Sequence, residues 1–166
     1  MYLFFLVLVV IHYAGALASL LLGYSGIEGM VGRHMTVGLL TSIEGLLLHC
    51  LFLFFFTGTG SWVRKNFPAD LPERAGTMAR IVGFRRRLFP LLLLSLVLLM
   101  ATTTAGGAVS VTWIPSWVHG LTALAATGFS VWTCQLALGL IRQNIDLMKQ
   151  VESRLRELGV DFGARR

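Results

Sequence analysis

Charge is what this sequence has least of. Only 13% of its 166 residues are Asp, Glu, Lys or Arg, against about a quarter in soluble domains. With 55% hydrophobic residues, that poverty excludes a disordered chain and an ordinary water-soluble enzyme. Two cysteines are too few for a disulfide scaffold. The sequence shows no nucleotide fingerprint, no Ser-His-Asp arrangement, no paired-carboxylate site and no soluble domain large enough to hold one, which speaks against a self-contained hydrolase or transferase. Gly58-Thr59-Gly60 lacks the strand and the Lys-Ser/Thr context of a phosphate loop and reads as a helix end. The net charge of +6 implies no nucleic-acid partner, because that needs a basic face on a soluble fold. Acids inside apolar runs are scarcer still: Glu44 stands alone, fewer than an ion pump of this size would carry.

What the chain does have is apolar length. A bilayer core of roughly 30 Å needs about 20 apolar residues in a helix, and four runs meet that demand: about 1–22, 35–57, 88–108 and 117–141. The expectation is an all-α, integral membrane four-helix up-down bundle over 1–141, followed by a cytoplasmic amphipathic helix and tail over 142–166. Pro90 is expected in the first turn of the third span, where a missing N–H costs nothing. Ala16-Leu17-Ala18 resembles a signal-cleavage pattern, but no Lys or Arg precedes the apolar stretch and the stretch is too long, so the first span is expected to be retained.

The few charges are unevenly placed. Seven basic residues, Arg64 to Arg87, lie between the second and third runs, and six more follow the fourth, from Arg142 to Arg166. Only Arg33 faces the other side. The positive-inside rule therefore puts both termini and the long connection in the cytoplasm. The bias and the lack of a targeting signal fit a bacterial inner membrane. Trp62, Trp113 and Trp117 fall at the expected boundaries, as an aromatic belt would place them. In the tail, Ile145, Met148, Val151, Leu155 and Leu158 recur at three- and four-residue steps. That stripe suits the bilayer surface, the long connection or docking to a partner subunit.

All four histidines fall in or beside spans, where an ionisable side chain is costly and marks function by default. His34 and His49, 15 residues apart, are roughly 22 Å apart on one helix and about 60° apart in azimuth. Measured from the cytoplasmic side, His12 lies roughly 16 Å deep and His49 roughly 12 Å, while His34 and His119 both lie roughly 34 Å deep. Helices running in opposite directions would set His12 level with His49, and His34 level with His119. Haem iron accepts imidazoles from opposite sides, and facing helices of a bundle can supply them. Gly15, Gly45, Gly38 and Gly120 near these residues would leave room for a macrocycle. Arg33 beside the outer pair, and Arg85 to Arg87 toward the inner one, would meet propionates.

In this layout the chain resembles a small transmembrane di-haem cytochrome of b type. Larger quinone-linked cytochrome b subunits are similar in placing both haems against one such helix. This sequence departs from them in carrying its partner histidines singly, on the first and fourth spans. The resemblance implies two b-type haems and electron transfer across the bilayer to or from quinone or a redox subunit. The rival expectation is a cofactor-free accessory subunit of a larger membrane complex, in which His34 and His119 bond to water or headgroups and His12 and His49 to Thr, Ser or each other.

Other residues carry alternatives. Cys50 and Cys134 near the inner level suggest zinc or copper(I), although Cys50 is about 100° around the helix from His49, and free cysteine is an ordinary small hydrophobe. Glu44 could relay protons or face a quinone head, or be a neutral carboxyl bonded to Ser42, Ser95 or a backbone carbonyl. Thr102, Thr103 and Thr104 with Gly106 and Gly107 read as a close-packing, hydrogen-bonding stretch. The Phe54-Phe55-Phe56 run reads as lipid-facing bulk.

Overall fold

The computed structural model describes residues 1–25, 27, 29–111 and 113–159; Arg165 and Arg166 lie outside them. It is all-α, with α1 at Tyr2–Tyr24, α2 at Val31–Asn66, α3 at Pro72–Ser110 and α4 at Ser116–Glu157. All four are long and apolar enough to cross a membrane. Their exposed large side chains, such as Leu3, Phe4, Leu47, Phe54, Leu93 and Leu121, suit contact with lipid. Consecutive helices pack side by side, and α1 also meets α4 along the least intimate of these seams; α2 and α4 barely touch.

Proline sets two of the three breaks. Phe67 precedes Pro68 and is extended, with φ −87 and ψ 117, as a residue before proline prefers. That ends α2. Pro72 then opens α3 with Glu73 in its first turn, favourable against the exposed N–H groups there. Pro115 precedes α4 in the same way. Pro90 therefore does not sit in a first turn, as expected, but inside α3. Its ring removes one rung of the ladder.

The long basic connection is not a loop. α2 continues to Asn66 and α3 starts at Pro72, so only 67–71 separate them. Gly58 and Gly60 lie inside α2 rather than at its end. A Cβ on Gly60 would stand 3.3 Å from Ile81 Cγ2, so the glycine lets α2 and α3 close up. At 42 residues, α4 is roughly 63 Å long, about twice the hydrocarbon thickness. The described tail is thus no separate element: 142–157 are the last turns of α4. Its Leu147, Val151 and Leu155 pack on Val63, Phe67 and Ile81 in a core of their own. Arg154 bridges Glu73 of α3 at 3.3 Å and Glu157 at 2.9 Å. Of the three coverings that the apolar stripe suited, the long connection is the one that meets it, through Val63, Phe67 and Ile81, and only Leu158 at its end stays exposed.

A larger core joins Phe5, Val9, Phe52, Phe56, Leu92 and Ile141, among others. Phe5 stacks on Phe52 with ring centroids 5.2 Å apart. The Phe54–Phe56 run is split: Phe54 faces out, while Phe56 is fully buried. Beyond the level of Leu99 and Ala126, toward Tyr24 and His119, no described residue is fully buried. Small and hydroxylic side chains line that half. Thr102 Oγ1 donates to Thr122 O at 3.1 Å and Thr103 Oγ1 to Ser42 Oγ at 2.9 Å.

Because the basic end has its own core, Leu155→Ala should cost about 2–5 kcal/mol and deletion of 143–166 more, both read as a fall in Tm in detergent. An unchanged Tm in both would mean that this packing contributes nothing.

Candidate functional site

The four histidines come together as two pairs. His12 and His49 face each other with ring centroids 6.1 Å apart, and His34 and His119 with centroids 5.9 Å apart. Each pair joins α2 to another helix, α1 for the first and α4 for the second.

His12 is the centre of the deeper site. It is 2% exposed and His49 is wholly buried. His12 Nδ1 bonds Glu44 Oε2 at 2.7 Å, and His12 Nε2 bonds Ser130 Oγ at 2.9 Å. A carboxylate, an imidazole and a hydroxyl from α2, α1 and α4 thus form one chain. Sequence inspection found no such Ser–His–acid arrangement, because its members lie 32 and 118 residues apart. The depth ruler that paired the histidines would have found Ser130, 12 residues before Arg142 and so roughly 18 Å deep, beside His12. Glu44 bonds His12 rather than Ser42, Ser95 or a carbonyl, and its Oε1 is buried without a partner.

The chemistry of a hydrolytic triad is not available to this geometry. Ser130 is mid-helix and fully buried. The backbone N–H groups around it belong to the helical ladder, so none is free to stabilise an oxyanion.

The other three imidazoles point to a different use. His49 Nδ1 lies 2.6 Å from Gly45 O, and His34 Nδ1 lies 2.9 Å from Ser19 O. A carbonyl only accepts, so in each ring Nδ1 carries the proton and the neutral ring's lone pair is on Nε2. Metal-bound histidines are commonly oriented in this way, by a hydrogen bond from the other nitrogen. His49 Nε2 is buried with nothing bonded to it, and so is His119 Nδ1. A metal–imidazole bond is about 2 Å long, so two imidazoles on opposite sides of one iron have ring centres roughly 6 Å apart. Both pairs have that spacing. A bare ion has less support: among the described residues no three His, Cys, Asp or Glu converge to hold one. Cys134 is buried and Cys50 half-buried, both as free thiols.

Of the glycines expected beside the imidazoles, Gly45 is there: a Cβ on it would stand 2.6 Å from His12 Cε1. Gly15, Gly38 and Gly120 instead lie against Thr41, Ser19 and Tyr24. Two other glycines touch the His34–His119 pair: Gly23 beside the His34 ring, and Gly106, part of the stretch read as close-packing, beside the His119 ring. Arg33 is exposed and lies 3.7 Å from Met30 Sδ; Arg85 sits over the Phe89 ring.

No family model, curated protein or solved structure matches the chain.

In the cofactor-free protein, Ser130→Ala leaves His12 Nε2 buried without a partner and should cost about 1–3 kcal/mol. Ser95→Ala removes a buried hydroxyl that has no partner and should be close to neutral. Equal losses of Tm for the two variants would show that the Ser130 bond contributes nothing.

Proposed function

We propose that the chain is a membrane electron-transfer subunit in which His12 and His49 hold one b-type haem and His34 and His119 a second. The observation that carries this reading is the spacing of the two imidazole pairs, 6.1 and 5.9 Å between ring centroids, with unpartnered buried nitrogens on His49 and His119. Haem, when bound, would supply one-electron exchange at two different depths in the bilayer.

The residues do the rest. Gly45 O and Ser19 O hold His49 and His34 in the tautomer whose Nε2 is free to ligate. Glu44 on His12 Nδ1 would orient that imidazole, and its Nε2, now bonded to the Ser130 hydroxyl, would be the atom that holds the iron. In this reading the bundle is up-down, with both termini and the extended ends of α2, α3 and α4 cytoplasmic, in a bacterial inner membrane. The basic charge at that end supports the orientation. Electrons pass to or from quinone or a partner redox subunit. The end of α4 beyond its covered stripe is left for such a partner.

One observation favours the second reading, a cofactor-free accessory subunit: both nitrogens of His12 are already bonded within the protein. An imidazole so satisfied is a helix clamp without any iron.

A reduced-minus-oxidised spectrum of the detergent-purified protein should show sharp b-type bands. His49→Ala and His119→Ala should each remove about half of that signal, from different components of a redox titration. A colourless, folded preparation after expression with full haem supply would establish the accessory reading instead. With haem bound, Ser130→Ala should become silent in Tm, because iron then takes the nitrogen that Ser130 had satisfied.

A further inference from the structure

Away from the imidazoles, the loosest seam of the bundle holds a groove of about 350 Å³, large enough for a small ligand. From α1 it is lined by Tyr2, Leu6, Val9 and Tyr13, at four-, three- and four-residue steps along one helix face. From α4 come Gln135, Leu138 and Arg142, with Gly139 as the floor between them. The groove therefore follows the helix axes from Tyr2 to Tyr13, roughly 16 Å; Leu6, Val9 and Leu138 make its middle apolar except for the Gln135 amide on the α4 side.

Its two ends differ. Tyr13 closes one end, donating its hydroxyl proton to Val131 O at 2.9 Å. At the other, the Arg142 guanidinium lies 4.4 Å from the centre of the Tyr2 ring, which holds it in place through the ring's negative face. None of the ion pairs among the described residues includes Arg142. A cation without an acid thus stands where the last apolar turn of α4 gives way to the charged end. Arg142 is 12 residues from Ser130, roughly 18 Å along α4, so it belongs to a different site from His12.

We propose that this groove binds one anionic phospholipid, with its phosphate on Arg142 and an acyl chain along Leu6, Val9 and Leu138. A phosphodiester is the anion that membranes present at this depth, and a guanidinium forks onto it through two N–H groups. Basic pockets between helices at the positively charged membrane face take anionic headgroups in this manner. The apolar α1 wall asks for hydrocarbon, and at the far end the Tyr13 hydroxyl proton is already committed to Val131 O, so the one cation, Arg142, marks the end that takes the head. The site is independent of whether haem is bound.

The experiment is retention of defined lipids by the detergent-purified protein, read by native mass spectrometry and by Tm. Dioleoyl phosphatidylglycerol should bind one per chain and raise Tm, while dioleoyl phosphatidylcholine, with the same chains, should not. Arg142→Gln should bind phosphatidylglycerol about tenfold or more weakly, and Arg142→Lys should retain part of the preference. Gly139→Leu provides a second arm should Arg142→Gln fail to fold: apart from its own helix's neighbouring backbone, no atom lies within 4 Å of a Cβ at Gly139, so a side chain starts from open space at a residue that lines the groove. It should keep the lipid-free Tm and lose the lipid. Equal retention of the two lipids, or phosphatidylglycerol binding unchanged in Gly139→Leu, overturns the proposal. So does the same Tm rise with glycerol phosphate alone, which would mark a plain phosphate site, or displacement of the lipid by a menaquinone at equal concentration.

Discussion

The bond pattern of one imidazole organises the middle of this molecule. His12 reaches α2 through Glu44 and α4 through Ser130, so three helices are joined at one level. In hydrocarbon, apolar side chains gain nothing by leaving lipid for protein, and helices associate through close packing and hydrogen bonds. A polar link at mid-depth therefore fixes rotation and register in a way that leucines cannot. The larger apolar core lies on one side of that link, and the outer half, with its threonines, glycines and second imidazole pair, lies on the other. Both halves take their alignment from the level at which His12, Glu44 and Ser130 meet.

Much of this was readable from composition and spacing. Apolar length located four spanning helices, and depth along each helix brought out the pairing of His12 with His49 and of His34 with His119, which the ring distances match. What escaped was wherever a helix outlived its apolar run. A hydropathy window finds the part of a helix that faces lipid, so Arg64, Lys65, Arg80 and Arg85 to Arg87 made 58–87 look like a loop. Thr77, Ile81 and Leu88, all buried on α3, are spaced by four and seven, and that periodicity was the available sign of a helix. The same limit left the cover of the α4 stripe open among bilayer, long connection and partner subunit: amphipathicity says that a face is covered, not by what.

The Ser130 contact escaped for another reason. Serine is common in membrane helices and has no spacing signature, so only depth relative to a histidine singles it out. Glu44 was conspicuous as the lone acid, yet its direction depends on the azimuths of two helices, which no count along one of them provides. Once the helices are in place, the division between satisfied and unsatisfied nitrogens becomes visible, and that division separates His12 from the other three imidazoles.

The contact between Gly45 and the His12 ring also constrains how this sequence can drift. A side chain added at Gly45 alone would run into the ring, with its Cβ 2.6 Å from Cε1; a small residue at position 12 alone would open a void and leave Glu44 and Ser130 without their partner. Each change is harmful for the opposite reason, so the two positions are strongly non-additive. Bulk at position 45 would fit only with a smaller residue at position 12, and that pair would still leave Glu44 and Ser130 without their partner; the imidazole is held in place by its bonds as well as by its volume.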